Sequence, residues 1–253
     1  MSSWSPEEYE RFREERSQPF YDLLALVHRR SLMRVVDLGC GTGDLTSVLH
    51  HELKARKTLG VDSSDTMLAK AAASGGYELA FQHTDIATWV PDAQYDLVFS
   101  NAALHWISDH PALFTRLGAM LTDGGQLAVQ IPANFDHPSH TVAREVAKEF
   151  AEPLHGYERQ IPVLAPEAYA VLLDDLGFKK QRVRLEVYAH KLPSRDSVID
   201  WVKGTLLTDY RGRLDAPTYE KFLARYRERL FELLPETQPY LYPFKRILMW
   251  AEK

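Results

Sequence analysis

The 253-residue chain predicts an α/β fold: a doubly wound, mostly parallel seven-stranded sheet with helical cap insertions and a last antiparallel strand. Three observations carry this. Short apolar runs alternate with segments of helical periodicity, as strands and covering helices do in such sheets. Three glycines at alternate positions, Gly39, Gly41 and Gly43, directly follow the first run. After Pro132 the alternation breaks, which marks inserted material.

The elements follow in order. Ser5-Pro6-Glu7-Glu8 reads as a helix start, with Ser as N-cap, Pro at the first helical position and Glu three residues past the cap. Tyr9 and Phe12 share a face of that helix, with Arg16 a turn further on. A second helix is expected from Pro19 to Arg29, with Phe20, Leu23, Leu24 and Val27 as its buried stripe. Strands are expected at 34–38, 58–62, 79–83, 95–100 and 126–131, with helices near 44–54, 64–74 and 111–121. Tyr95 to Ser100 is nearly all apolar, as a central strand covered on both faces should be. Asp123-Gly124-Gly125 reads as a turn before the fifth strand. Beyond Pro132, residues 139–151 and 167–176 read as helices, 178–190 as a long strand and 194–235 as helical. Tyr240 to Trp250 then reads as the last strand.

Composition narrows the class. Apolar content of 45% beside 26% charged residues suits a globular protein with a sizeable core. A net charge of −5 without a basic stripe argues against nucleic acid as partner. Cys40 is the only cysteine, so no internal disulfide can form and a reducing compartment is expected. No apolar run reaches the roughly 18 residues of a membrane span. The charged N-terminus does not read as a signal peptide. A cytoplasmic protein is expected, with no membrane attachment and no obligatory protein partner evident.

The chemistry concentrates at strand ends. Arg34-Val35-Val36-Asp37 followed by Leu38-Gly39-Cys40-Gly41-Thr42-Gly43-Asp44 is a strand, a tight turn and a helix start. Glycine lets backbone approach a ligand closely and take positive φ. The crevice at the first strand–turn–helix of such a sheet is where nucleotide-like cofactors lie. A pyridine dinucleotide is the obvious competitor. Its fingerprint is G-x-G-x-x-G, whereas Asp44 stands where the third glycine would be. Asp37 would repel a phosphate and attract an amino or sulfonium group. Asp62 closes the second strand and is placed to accept from ribose hydroxyls. Ser63 or Ser64 suits the cap of the next helix, and Met67 is either packing or a flank for adenine. Asp85 and Ile86 end the third strand, where the bland reading is a turn residue and the functional one contact with adenine. Asn101 closes the fourth strand, and His105 and Trp106 follow it. That pair either fills the core or, with His105 as anion contact or base, faces the acceptor. Asp136, His137 and His140 have a spacing that could hold a metal, but Pro138 and the want of further ligands favour a surface turn; no metal is expected. Cys40 reads as a small residue in a tight loop.

The Asp37-to-Gly43 pattern resembles motif I of class I S-adenosylmethionine-dependent methyltransferases, whose core is Rossmann-like. Over nearly its whole length the chain resembles the trans-aconitate 2-methyltransferases. The matching residues include Trp4-Ser5-Pro6, Asp37-Leu38-Gly39-Cys40-Gly41, Gly60-Val61-Asp62-Ser63-Ser64, Asn101-Ala102-Ala103-Leu104 with Trp106, Ile199-Asp200-Trp201-Val202 and Pro243-Phe244-Lys245-Arg246. The resemblance implies S-adenosylmethionine as cofactor and methylation of a carboxylate on a small polycarboxylic acid. It implies a lid at 1–30, a core at 31–132 and 166–253, and insertions at about 133–165 and 191–236 that cap the acceptor. Arg16, Arg246, Tyr157, Tyr242, Asn134 and His105 are then candidates to clamp the acceptor. Arg16 could alternatively hold the cofactor carboxylate, with Tyr9 and Phe12 folding over it. One departure stands out. Where the family commonly carries Gly-Leu-Arg-Pro, this chain has Leu206-Leu207-Thr208-Asp209, with Arg211 and Arg213 following. Another small acid or a hydroxyl as acceptor, or binding without transfer, are the alternatives.

Overall fold

The computed structural model describes residues 13–72 and 75–253, with side chains from Ser17 onward. The expected helix at Ser5, the Tyr9–Phe12 face and the Arg16 side chain lie outside the described residues. Seven strands form one sheet: β1 (Arg34–Leu38), β2 (Lys57–Asp62), β3 (Leu79–His83), β4 (Tyr95–Asn101), β5 (Leu121–Pro132), β6 (Lys180–Leu192) and β7 (Tyr240–Glu252). Their order is β3-β2-β1-β4-β5-β7-β6. β1 pairs in parallel with both β2 and β4, and β5 pairs antiparallel with β7. The chain thus works outward from β1 to β3, then returns to place β4 on β1's other side. That reversal opens a crevice beyond the carboxyl ends of β1 and β4.

Helices α1 (Arg13–Leu24), α2 (Asp44–Leu53), α3 (Asp65–Ala71), α4 (His110–Ala119) and α6 (Pro166–Asp175) accompany the sheet; α5 (Pro138–Glu149), α7 (Asp196–Lys203), α8 (Leu206–Arg211) and α9 (Ala216–Leu233) come from the inserted segments. The chain divides into two compact units. The sheet unit comprises Ser17–Ala133, Pro162–Glu186 and Arg246–Lys253; the second contains Asn134–Ile161 and Val187–Lys245.

Alternation along the strands fills both faces of the sheet unit. Val36, Val98, Val129 and Met249 join one core with Phe114, Leu117 and Tyr169. Their neighbours Val35, Leu97, Ala128 and Leu248 join another with Phe20, Leu23 and Leu49. Side chains one residue apart on a strand point to opposite faces, so the two cores require helices on both sides. The second unit has its own core, rich in aromatic rings: Trp201, Tyr210, Phe222, Tyr226 and Tyr242.

Three local differences from expectation have physical causes. α1 begins before Pro19 and ends at Leu24, so Pro19 sits inside the helix. Its stripe survives, because Phe20, Leu23, Leu24 and Val27 are all buried, the last through a tightened turn in which Val27 N donates to Leu24 O at 3.1 Å. Asp123-Gly124-Gly125 lies within β5 rather than before it. The register jumps there from Tyr95 opposite Leu121 to Leu97 opposite Gln126, a bulge admitted by Gly124 at φ 68°. The single expected helical stretch at 194–235 is three helices, the first ending at Gly204 and the second at Gly212.

Candidate active site

Asp37 is the fourth residue of β1, and its side chain is buried. Its Oδ2 accepts a hydrogen bond from Thr46 Oγ1 on α2 at 2.6 Å. Burial pushes its carboxyl up from the ordinary 3.8 to about 7; the Thr46 bond works against this and the nearby Asp62 charge adds to it. The loop after β1 folds back on β2, with Gly39 N and Cys40 N both donating to Val61 O at 2.8 and 3.1 Å. Asp62, at the end of β2, has one oxygen bonded to Gly41 N and the other to Ser64 N, both at 2.9 Å. Each carboxylate oxygen has a second lone pair, so the orientation is fixed while acceptor capacity remains. Ser64, not Ser63, caps α3, accepting from Met67 N at 3.4 Å; Ser63 is exposed.

Two glycines show what the loop is for. Gly39, at φ 81°, packs so tightly that a Cβ there would collide with Ala103 Cβ beyond β4. Gly41, at φ 56°, would meet only Met67 Cε at 3.7 Å. The first glycine lets two loops touch; the second leaves bare backbone facing open space. Cys40 is buried in the same turn, where burial and then the Asp37 and Asp62 charges push its thiol up, so it stays protonated.

The other strand ends complete the crevice. Asp85 is exposed, and its Oδ1 accepts from Ala87 N at 2.8 Å, a turn-forming contact. Ile86 Cδ1 lies 3.8 Å from where a Gly39 Cβ would stand. Arg116 on α4, which sequence reasoning missed, clamps this loop. Its guanidinium donates to Ala87 O, to Ile86 O at 2.8 Å and to Trp89 O at 3.2 Å. Ser100 Oγ ties β4 to β1 through Leu38 O at 2.8 Å. Asn101 Oδ1 is buried with no hydrogen-bond partner among the described residues. Ala102 next to it has φ 57°, a strained backbone for a residue with a Cβ. His105 and Trp106 lie in a single 3₁₀ turn with ring centroids 4.7 Å apart, His105 half-buried and Trp106 exposed. They do not fill the core.

The remaining candidates separate. Arg246, in the sheet unit, is buried and donates to Gln130 Oε1 at 3.4 Å. Asn134, Tyr242 and Tyr157 belong to the second unit. Asn134 Nδ2 donates to Tyr242 Oη at 3.4 Å, whereas the Tyr157 hydroxyl donates to Asp209. Asp136 is exposed in a turn that His137 N closes on Asn134 O at 3.1 Å, as expected, whereas His140 lies within α5. His137 Nδ1 caps α5 by accepting from Ser139 N at 3.1 Å. His140 Nδ1 meets Ser139 Oγ at 3.0 Å. Burial pushes both imidazoles down, to about 4 for His137 and about 3 for His140. Among the described residues no group of three potential ligands is placed to hold a metal, and no helix is long and apolar enough to cross a membrane.

A cofactor with hydroxyls for Asp62, a cation for the Asp37 side of the crevice and a donor for Asn101 Oδ1 fits these residues, and Gly41 leaves it room. Residues 9–183 match a family model described as a methyltransferase domain. A trans-aconitate 2-methyltransferase from Deinococcus radiodurans is 43% identical over 99% of this chain and 98% of its own length. The one from Escherichia fergusonii is 38% identical over 100% and 99%. The chain belongs to the trans-aconitate 2-methyltransferase family. As a member it is an S-adenosylmethionine-dependent methyltransferase. Solved structures share the fold at low identity. The Bacillus subtilis YcgJ protein has a TM-score of 0.62 at 17% identity, covering 93% of this chain and 97% of its own. An S-adenosylmethionine-dependent methyltransferase from Mesorhizobium loti has a TM-score of 0.53 at 21%, covering 92% and 96%.

Proposed function

We propose that this member of the family methylates one carboxylate of a small polycarboxylic acid, trans-aconitate being the acceptor for which its relatives are named. The observation that carries this is the identity to those relatives over essentially the full length, the inserted segments included. S-adenosylmethionine, when bound, supplies an electrophilic methyl on a sulfonium. The acceptor carboxylate is an anion at neutral pH and is itself the nucleophile. One of its oxygens would take that methyl, leaving the electron pair of the broken sulfur–carbon bond on sulfur. No proton moves, so His105 need not be a base; with Trp106 it flanks the acceptor and excludes water. Asp62 orients the ribose, Asp37 and the glycine loop favour the cationic end, Met67 and Ile86 flank adenine with Asp85 at its edge, and Asn101 accepts from the amino group. The buried guanidinium of Arg246 draws the acid in.

Incubation with methyl-labelled cofactor and a panel of di- and tricarboxylic acids tests the reading. Base-labile label on an acid is expected. Base-stable label on a hydroxyl or amine overturns it.

A further inference from the structure

The second unit holds cationic groups that the crevice chemistry does not use. On α5, Arg144 donates through both Nη atoms to Phe135 O at 3.1 Å. It makes no ion pair among the described residues. Arg159 is mostly buried and donates to Leu206 O at 3.2 Å and to Asp209 Oδ2 at 3.4 Å. Asp209 also accepts from the Tyr157 hydroxyl and, at 3.4 Å, from Arg213 Nε. Arg213 lies 3.5 Å over the Tyr157 ring.

Tyr210 is the anomaly in this cluster. Its ring is fully buried, 6.4 Å from that of Tyr157 and 4.9 Å from that of Phe222. Its hydroxyl has no hydrogen-bond partner among the described residues. A buried hydroxyl left unpaired is costly and calls for a water or a ligand. Burial is the main influence on that hydroxyl, and the Arg159 and Arg144 charges both reach it; the same two charges reach the His140 imidazole. Two guanidinium groups and one waiting donor therefore converge, with Asp209 and Asp136 in partial balance.

We propose that Arg144, Arg159 and the Tyr210 hydroxyl form a carboxylate-binding site within the second unit, which takes a small polycarboxylic acid by one of its carboxylates. The proposal rests on the reading that the acceptor is a polycarboxylic acid. It also explains the departure at 208–209. The Thr208 hydroxyl is turned back onto Thr205 O and carries no charge to a ligand. Asp209 instead holds Arg159 and Tyr157 in place and lowers the site's net charge. Asp209 is thus a specificity-determining residue, since it lessens the attraction for each added carboxylate.

The decisive variant is Tyr210→Phe, which removes a hydroxyl that bonds nothing among the described residues and so leaves the fold intact. Calorimetry with trans-aconitate, in the presence of S-adenosylhomocysteine, reads binding without turnover. Tyr210→Phe should weaken binding about 5- to 10-fold, and Arg159→Gln or Arg144→Gln about 10- to 100-fold, with S-adenosylhomocysteine affinity unchanged. Asp209→Asn should tighten it. Where the wild type turns the acid over, KM should rise with kcat nearly constant in the first three variants. An unaltered affinity in Tyr210→Phe and Arg144→Gln, meaning a bound water only, overturns the site, as does a wild type that binds no polycarboxylate. A wild type that binds the acid but places base-stable label elsewhere overturns the methylation reading and leaves the site standing.

Discussion

In the sheet unit, Asp37 is buried within range of Asp62, and its carboxyl is pushed up to about 7. In the second unit, burial and then the charges of Arg159, His137 and Arg144 push His140 down to about 3, with Asp136 opposing. One region has gathered negative charge where water is scarce, the other positive charge. Each arrangement is unfavourable in itself, because burial and like charge both disfavour the ionised form. Each becomes favourable when a ligand of opposite charge arrives. On the two proposals above, a sulfonium amino acid would suit the first and a polycarboxylate the second.

The largest expected effect breaks the first region outright. Gly39→Val puts a branched side chain at φ 81° and into Ala103. Strain and overpacking together should cost about 2–5 kcal/mol of stability and abolish cofactor binding. Thermal unfolding and calorimetry with S-adenosylhomocysteine read both. Next comes Asp62→Asn, which removes one of the two negative charges while keeping the shape. Cofactor affinity should fall about 10- to 100-fold, and the Asp37 carboxyl should return toward ordinary values. That return is visible as a downward shift of the pH at which S-adenosylmethionine binding weakens. Tyr169→Phe supplies a ruler in the same unit. His110 Nε2 lies 3.2 Å from Leu104 O and must donate to it, so Nδ1 accepts from the Tyr169 hydroxyl, which in turn accepts from Leu164 N at 3.2 Å. Stripping that hydroxyl leaves a buried imidazole nitrogen and the amide of half-buried Leu164 unpaired and should cost about 1–3 kcal/mol in denaturant unfolding.

The two regions were unequally legible. β1 and β3 stand where their residues place them, because short apolar runs between turn residues need only local information. Asp37, Asp62 and the glycines are likewise local, each at the end of a strand that announces itself. Pro19 misled for the same reason: a proline at a helix start and one tolerated inside a helix look alike until packing is known. The bulge at Gly124 was hidden because a turn and a bulge use the same residues. In the second unit, Arg159 meets Asp209 across 50 positions and Arg144 meets the carbonyl of Phe135. No spacing rule reports such contacts. Arg116 and Thr46 were missed similarly, although Thr46, nine residues past Asp37 in the helix facing it, could have been found by placing the helix on the strand.

Acid sharpens the comparison, since the two regions should answer in opposite senses. Asp37 has a raised native pKa, so between about 4 and 7 the native state holds more protons than the unfolded one. Its contribution to stability is full at the acid end and is lost as pH rises, at up to about 1.4 kcal/mol per unit. His137 and His140 have depressed native values, so the unfolded state holds more protons between 6.5 and about 4. Their contribution is present at neutral pH and lost as pH falls. The wild-type profile should therefore be flattened by cancellation over this window. Asp37→Asn should expose a slope rising with pH, and His140→Gln a shallower rise or a fall. Identical profiles for all three proteins would remove the opposition.

The smallest effect is the most informative about the second unit. Tyr210 and Tyr169 are both fully buried tyrosines in aromatic surroundings, one with a hydroxyl bonded twice and one with a hydroxyl bonded to nothing described. If burial alone set the worth of a tyrosine hydroxyl, removing either would cost the same. A hydrogen bond's net worth comes instead from the partner it satisfies, and losing an unpaired hydroxyl relieves a desolvation penalty. Tyr210→Phe should therefore leave stability within about 0.5 kcal/mol of the wild type or raise it, measured in the same denaturant series as Tyr169→Phe. Added polycarboxylate should then stabilise the wild type more than the variant, because only the wild type offers the donor. A variant destabilised as much as Tyr169→Phe would mean that the hydroxyl is satisfied within the folded protein, and would move the anion-binding role onto the arginines alone.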